Sequence, residues 1–336
     1  SHPTQQWLML QEGMERAADT WQFALRAATG QPLMHEHANS RFMDAAWSKW
    51  PYNLLVRGYG NLEQWSEQLL GCTPGVGVAS TERLEFMRRQ ALDLLSPAHY
   101  LLSNPELLAQ TSAEAGANLL RGWQYWLEDT QRMLAHAAPS GTDNFRVGEQ
   151  VAITPGKVVM RNELIELIQY SPQGDSVYAE PILITPAWIM KYYVLDLSPR
   201  NSLVKYLVEQ GHTVFMISWR NPDAQDRDLG MDDYLRLGLR AALDAVTSIV
   251  PNQRVHAVGY CIGGTLLSIG AATLAGAGDQ RLASITLLAA QTDFSEPGEL
   301  SVFISPSQLA TLDELMQHDG VLSSERMDAA FALLRA

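Results

Sequence analysis

The sequence feature that most constrains the fold is the hexapeptide Gly259–Gly264, which reads Gly-Tyr-Cys-Ile-Gly-Gly. A short apolar run that starts at Val255 precedes it, and a run of small residues with helical character follows from Thr265. The segment therefore predicts a strand, a tight turn and a helix, with Cys261 at the turn. This order and spacing are those of the G-x-S-x-G nucleophile elbow, with sulfur in place of the hydroxyl oxygen.

Each position of this elbow has a physical reason. Glycine is needed at Gly259 and Gly263, since a Cβ two residues from the nucleophile would collide with the neighbouring strand or helix. A further glycine, Gly264, permits close packing of the helix on the sheet. The helix N-terminus favours the thiolate of Cys261 and leaves the Ile262 N–H free to hold an oxyanion. The alternative interpretation is that the cysteine is a small buried side chain beside a glycine-rich turn.

Residues 4–138 show a helical pattern throughout, with apolar side chains at intervals of three or four residues. Helix starts are predicted at Ser80–Glu82 and at Ser103–Glu106, where a capping side chain precedes acidic residues. Seven of the nine tryptophans lie in this half. Their helical spacing favours rings that pack between helices, and the alternative is an amphipathic surface that contacts a hydrophobic body.

A linker rich in small residues, 137–143, separates this half from a region with strand patterns. Antiparallel strands are predicted at Val147–Thr154, Lys157–Arg161 and Leu164–Tyr170. Later strands at Pro181–Thr185, Thr213–Trp219 and Ser284–Ala290 alternate with helices at Ser202–Gln210 and Asp232–Val250, which favours a parallel α/β sheet. The sequence predicts two domains, 1–143 and 144–336, with the ligand site at the carboxyl ends of the strands, where Cys261 lies.

Composition limits the function further. The formal charge of −13, without a basic stripe, argues against nucleic acid as a partner. The two cysteines, Cys72 and Cys261, do not suggest a disulfide framework, which favours a reducing cytoplasm, and Cys72 is interpreted as inert. The sequence contains no transmembrane run, signal peptide, metal-ligand cluster or dinucleotide fingerprint, so neither metal nor cofactor is predicted.

Three blocks of the sequence resemble the polyhydroxyalkanoate synthases. They are Pro186–Leu197, then Gly211–Phe215 together with Ser218–Pro222, and finally Gly259–Thr265. Their order and spacing match that family, and the helical first half looks like the family's N-terminal domain. The resemblance covers essentially the whole chain. It implies an α/β-hydrolase core preceded by an all-helical domain, in a class I-like enzyme that uses short 3-hydroxyacyl-CoA.

The resemblance also implies a reaction. Cys261 would take a 3-hydroxyacyl group from its CoA thioester and pass it to a growing polyester, with release of CoA. Ile262 N–H would be one oxyanion donor, and the loop after the strand Ile182–Thr185 would supply the other, from Ala187 or Trp188. The further partners implied are a polyester granule surface and a second copy of the chain, and the location is the cytoplasm, at granules.

The sequence departs from the family in two places. Many members carry asparagine where Met190 stands, so a side-chain role there is in doubt. The family also implies an aspartate and a histidine after the nucleophile, with a cap segment between them, whereas only 75 residues follow Cys261, and His318 is their only histidine. We interpret His318 as a helix-end residue and Asp293 as a turn residue. His212 and His256 are interpreted as packing residues.

The expectation is therefore a C-terminally truncated synthase with an incomplete sheet, a cap that starts at about residue 296, and no activity alone because the catalytic Asp and His are missing. Two alternatives remain open. One is a cysteine-dependent thioesterase or polyester depolymerase on the same fold, with water as the acceptor. The other is a non-catalytic granule-binding protein that adsorbs through its tryptophan-rich half, although such a protein has no use for the elbow.

Overall fold

The computed structural model describes residues 3–29, 39–71, 78–135, 137–189, 191–322 and residue 327. The predictions made for Cys72 and Met190 lie outside these residues. The chain divides into two compact units. One comprises residues 1–138 and 298–305, and the other comprises residues 139–297 and 306–335.

The first unit is helical, as the pattern predicts. Its helices are α1 (Pro3–Ala28), α2 (Tyr52–Gly71), α3 (Val78–Leu94), α4 (Pro105–Ala113) and α5 (Ala117–Leu134). A small aromatic core lies beside α2 and consists of Phe42, Trp47, Val56 and Tyr59. The rings of Phe42 and Trp47 meet edge to face at 4.9 Å, an arrangement that aromatic pairs prefer.

The two predicted helix starts have different outcomes. The start of α4 is confirmed, because the Asn104 side chain accepts hydrogen bonds from the N–H groups of Glu106 and Leu107. The start at Ser80 is wrong, since α3 already includes Val78 and Ser80 therefore lies inside the helix. A serine is tolerated within a helix as well as at its cap, so the residue type alone does not fix the boundary.

The prediction that the tryptophans of this unit pack between helices is wrong for most of them. Only Trp47 is buried, and the half-buried Trp65 donates its Nε1–H to the Met9 carbonyl at 3.3 Å. The other five expose 55–68% of their surface: Trp7, Trp21, Trp50, Trp123 and Trp126. On α5 the rings of Trp123 and Trp126 stack on each other at 4.9 Å. Helical spacing specifies a stripe of apolar residues but does not say whether another element covers it.

The second unit is built on a six-stranded sheet. The strands of the unit are β1 (Gly156–Arg161), β2 (Ile165–Tyr170), β3 (Ile182–Thr185), β4 (Asp196–Ser198), β5 (Asn201–Ser202), β6 (Val214–Trp219), β7 (Val255–Tyr260) and β8 (Leu282–Leu288). The sheet order is β1-β2-β6-β3-β7-β8, while β4 and β5 form a separate short ladder. β6, β3, β7 and β8 run parallel, and β1 and β2 are antiparallel additions at one edge. The predicted α/β class is therefore confirmed.

The helices of the unit are α6 (Leu203–Glu209), α7 (Met231–Asp233), α8 (Ala241–Ile249), α9 (Ile262–Gly276) and α10 (Pro306–Asp319). Three of them, α6, α8 and α9, pack against the sheet. The main core joins Leu183 of β3 and Phe215 of β6 to Leu243 of α8 and Leu267 of α9, all with 0% exposure. Strands that are covered on both faces read as continuous apolar runs, which explains why these two were predicted correctly.

One predicted strand is absent. Within the described segment around Val147–Thr154, the structure has only an isolated bridge between Val147 and Val151. Gly148 and Ala152 have positive φ angles of 84° and 54°, which interrupt an extended backbone. Alternating apolar residues therefore form a compact turn here instead of a strand.

The predicted helix Asp232–Val250 is present, but its middle is not regular. α7 continues into a π-helical segment, Tyr234–Arg240, before α8 begins. A Cβ at Gly238 in this segment would lie 2.4 Å from the ring of Trp219. The π segment therefore brings helix backbone against the end of β6, and π-helical turns are frequent at functional sites.

Candidate active site

Cys261 occupies the corner between β7 and α9. Its φ of 53° and ψ of −130° lie in a region that residues other than glycine rarely adopt. The strained residue is held on both sides, because its N–H donates to the Leu288 carbonyl of β8 at 2.9 Å and its carbonyl accepts from Gly264 N–H at 2.9 Å. The cysteine is half-buried, so part of the residue faces solvent at this corner of the sheet.

The glycines around Cys261 stand where the backbone is most crowded. A Cβ at Gly259 would lie 2.4 Å from the Cα of Gly264. At Gly263 it would lie 2.4 Å from the carbonyl oxygens of Thr185 and Pro186, and at Gly264 it would lie 2.4 Å from the Ala290 Cβ. Real Cβ contacts are not this short, so a side chain at any of these positions would push the helix away from the sheet.

The two predicted oxyanion donors lie on segments that the structure brings together. Ile262 is the first residue of α9, so its N–H has no acceptor within the helix. Trp188 is half-buried in the loop that follows β3. The close approach of Gly263 to the Pro186 carbonyl puts this loop against the first turn of α9. The assignment of the two N–H groups as oxyanion donors stays a prediction.

The other titratable residues considered from the sequence have separate surroundings. Asp293 is exposed, and hydrogen bonds from the backbone and side chain of Ser295 lower the pKa of its carboxyl, as in a turn. His318 lies in the last turn of α10 with an exposed side chain, and its Nδ1 lies 2.7 Å from the Asp319 carboxylate. Among the described residues, no histidine forms a hydrogen bond with Cys261. The structure thus gives neither Asp293 nor His318 a contact with the thiol.

His256 lies on β7, whereas His212 lies between α6 and β6. His256 Nδ1 is 2.7 Å from the Ser284 hydroxyl on the neighbouring strand β8. The ring of His212 lies 4.9 Å from that of Tyr178, and its Nδ1 is buried without a partner. These contacts are those of packing residues.

Two aromatic residues beside the β3 loop were missed by sequence reasoning. Trp219, at the end of β6, donates its Nε1–H to the Pro186 carbonyl at 2.8 Å. Tyr234 contacts both Trp219 and Trp188, with ring centroids 5.4 Å apart in each pair. A signal was available, because a glycine inside a helical pattern, here Gly238, often marks a close packing contact.

A buried carboxylate, that of Asp196, lies at the start of β4, where the chain segment that follows β3 ends. Asp196 is 1% exposed, and its Oδ1 accepts from the hydroxyls of Thr154 and Ser202, each at 2.6 Å. Its Oδ2 accepts from Thr154 N–H at 3.2 Å, and the Ser202 hydroxyl accepts from Lys205 N–H at the start of α6. Burial and the charge of Asp196 raise the pKa of the neighbouring Tyr170. The carboxylate therefore ties the loop to α6.

We expect Asp196→Asn to lower the free energy of unfolding by about 1–2 kcal/mol in urea denaturation. The amide keeps the size of the side chain but replaces one acceptor oxygen with an NH₂ group, which must then face a donor. Asp175→Asn, at an exposed loop position, is the matched control and should change stability by less than about 0.5 kcal/mol. Equal effects of the two variants would mean that the buried network contributes nothing specific.

Within the described ranges, no group of three or more His, Cys, Asp or Glu residues lies close enough to hold a metal ion. No helix in the same ranges is both long enough and apolar enough to cross a membrane.

The chain matches two family models. Residues 38–207 match the model described as "Poly-beta-hydroxybutyrate polymerase (PhaC) N-terminus". Residues 180–331 match the alpha/beta hydrolase fold, which confirms the predicted fold of the second unit.

Curated relatives match along most of the chain. It is 40% identical over 315 residues to a poly(3-hydroxyalkanoate) polymerase of Methylorubrum extorquens, with 93% of this chain and 52% of the relative covered. It is 41% identical over 225 residues to a polymerase subunit of Cupriavidus necator, with 66% of this chain and 38% of the relative covered. A polymerase subunit of Rhizobium meliloti is 37% identical, with 95% and 53% covered. The chain therefore spans about half the length of the first relatives. Because the first model match extends over half of the chain, the chain belongs to the poly-beta-hydroxybutyrate polymerase (PhaC) family.

Proposed function

We propose that the chain is an acyltransferase that uses Cys261 to polymerise 3-hydroxyacyl groups from CoA thioesters into a polyester. The observation that supports this proposal is the strained backbone at Cys261, at the start of a helix whose Gly263 packs closely against the loop that contains Trp188. The polymer class comes from the relatives, which are named poly(3-hydroxyalkanoate) polymerases. The same thiol on the same fold also fits a thioesterase, so the acceptor has to be measured.

In the proposed reaction the Cys261 sulfur attacks the thioester carbonyl carbon, and the N–H groups of Ile262 and Trp188 hold the oxyanion. The carbon–sulfur bond to CoA then breaks, and CoA leaves as a thiolate that takes up a proton. The hydroxyl oxygen of another acyl unit attacks the new thioester on Cys261. An ester bond forms, the bond between the carbonyl carbon and the Cys261 sulfur breaks, and the hydroxyl proton passes to the released sulfur, which restores the thiol.

The sequence predicts no activity of the chain alone, and nothing in the structure tests that prediction. We propose instead that this chain alone performs the first acyl transfer and turns over slowly afterwards. The support is that the described histidines form no hydrogen bond with Cys261. Attack by a hydroxyl group needs a base that removes its proton. The weaker nucleophile, the hydroxyl oxygen, depends on such a base more than the thiol does.

To test these proposals, the chain is incubated with 3-hydroxybutyryl-CoA. Released CoA is measured by chromatography and the acyl-enzyme by peptide mass spectrometry. Polymer and free 3-hydroxybutyrate are measured in the same reaction. We expect release of about one CoA per chain, with the acyl group on Cys261. Acylation at another residue, or none, would refute the proposal. Continued CoA release with free 3-hydroxybutyrate and no polymer would identify a thioesterase. Continued release with polymer would show that a base acts within this chain.

We further propose that the first unit binds the surface of polymer granules in the cytoplasm. The support is α5, which exposes Trp123, Trp126, Leu120 and Met133. Tryptophan suits a boundary between water and an apolar phase because its ring is amphipathic. The homodimer implied by the resemblance stays a prediction.

A further inference from the structure

We propose that Trp219 and Tyr234 are positioning residues that hold the segment Pro186–Trp188 in the geometry needed for oxyanion stabilisation. The inference rests on the proposed acyl transfer at Cys261 and adds the groups that orient its second N–H donor.

The first contact fixes the start of the segment. The Trp219 Nε1–H donates to the Pro186 carbonyl at 2.8 Å. The same carbonyl oxygen packs against α9, since a Cβ at Gly263 would lie only 2.4 Å from it. A peptide unit is planar, so holding the carbonyl also holds the plane that continues to Ala187. The backbone that leads to Trp188 thus starts from a fixed orientation.

The second contact fixes the end of the segment. The ring of Trp188 lies 5.4 Å from the ring of Tyr234, which lies 5.4 Å from the ring of Trp219. Ala187, between the two anchored positions, is 1% exposed and has no room to move outward. The backbone around the Trp188 N–H is therefore held at two points. The Pro186 carbonyl accepts a hydrogen bond from Trp219, and the Trp188 ring contacts the Tyr234 ring.

The π-helical segment provides the surface on which Trp219 rests. A Cβ at Gly238 would lie 2.4 Å and 2.5 Å from two atoms of the Trp219 ring. An indole is rigid, so a side chain at position 238 would displace the whole ring and with it the Nε1 donor. Gly238→Ala should therefore act on the Pro186 carbonyl through Trp219, although the glycine itself does not contact the segment that it affects.

The test uses 3-hydroxybutyraldehyde, which forms a hemithioacetal with a thiol and places an oxygen where the oxyanion develops. Trp219→Phe keeps an aromatic ring but removes the donor, and Gly238→Ala displaces the ring. We expect each change to weaken aldehyde binding to Cys261 by about tenfold, which is less than the loss of an oxyanion donor itself. The rate of Cys261 alkylation by iodoacetamide, a reaction without an oxyanion, should change by less than about twofold in the same variants.

The double variant adds a second criterion. Phenylalanine is smaller than tryptophan, so Trp219→Phe removes the overlap that Gly238→Ala creates. The double variant should therefore bind the aldehyde with about the same affinity as Trp219→Phe alone, because both changes act on the one hydrogen bond to the Pro186 carbonyl. Gly276→Ala is the control, since beyond the neighbouring backbone of its own helix no atom lies within 4 Å of a Cβ at that position.

The possible failures can be told apart. Wild-type aldehyde affinity in both folded single variants would overturn the positioning role and leave the function of Cys261 intact. Equal losses in aldehyde binding and alkylation would indicate general disruption and would also overturn it. If the unaltered chain forms no hemithioacetal at Cys261, the proposed function fails, and this inference fails with it.

Discussion

Cys261→Ala should lower the rate of CoA release from 3-hydroxybutyryl-CoA by at least about a thousandfold, because the sulfur that forms the acyl bond is lost. The measurement is single-turnover CoA release, with the acylated peptide identified by mass. Cys261→Ser keeps the size of the side chain and should also lose most of the rate, since a hydroxyl group is a weak nucleophile without a base. Undiminished release from the alanine variant would place the chemistry elsewhere.

A third substitution at the same position separates backbone strain from chemistry. Cys261→Gly should be as inactive as Cys261→Ala, yet about 1–2 kcal/mol more stable to urea, because glycine adopts a φ of 53° at little cost. Binding to polymer particles should survive all three substitutions if the exposed tryptophans of α5 mediate it. If the glycine and alanine variants were equally stable, the backbone conformation at position 261 would not be strained.

Gly263→Ala should lower the free energy of unfolding by about 3 kcal/mol or more in urea denaturation. The added Cβ would lie 2.4 Å from the carbonyl oxygens of Thr185 and Pro186. Both are backbone atoms at the end of β3, so no change of rotamer can relieve the overlap. The helix must move away from the sheet, and the Ile262 N–H would move with it.

The matched control lies at the other end of the same helix. Beyond the neighbouring backbone of its own helix, no atom lies within 4 Å of a Cβ at Gly276, so Gly276→Ala should leave stability unchanged or raise it by up to about 1 kcal/mol. If the two glycine substitutions had similar effects, the contact between α9 and the end of β3 would not be as close as the structure has it.

Sequence reasoning succeeded where the determining chemistry is local. The strand Pro181–Thr185 and the strand Thr213–Trp219 are continuous apolar runs, and each lies within one residue of its predicted bounds. The elbow could be recognised because its steric requirements fall on neighbouring residues. The capping of α4 by Asn104 depends on only four consecutive positions.

Sequence reasoning failed where distant residues decide the outcome. The hydrogen bond between Trp219 and Pro186 joins positions 33 residues apart, and no local pattern encodes it. The π-helical turn at Tyr234–Arg240 alternates leucine with arginine and glycine, and leucine and arginine also suit an α-helix. The strand predicted at Val147–Thr154 is replaced by a turn because two residues adopt positive φ angles. Exposure of the tryptophans depends on whether another element packs against their helix, and helical periodicity does not predict that packing.

The exposed tryptophans also determine which parts of the chain intrinsic fluorescence can report on during unfolding. Indoles that already face water change their emission little when a chain unfolds, so Trp7, Trp21, Trp50, Trp123 and Trp126 contribute mostly a constant background. The spectral change must come from the four shielded rings, Trp47 and Trp65 in the first unit and Trp188 and Trp219 in the second. Intrinsic fluorescence therefore samples the two units evenly, although seven of the nine tryptophans belong to the first.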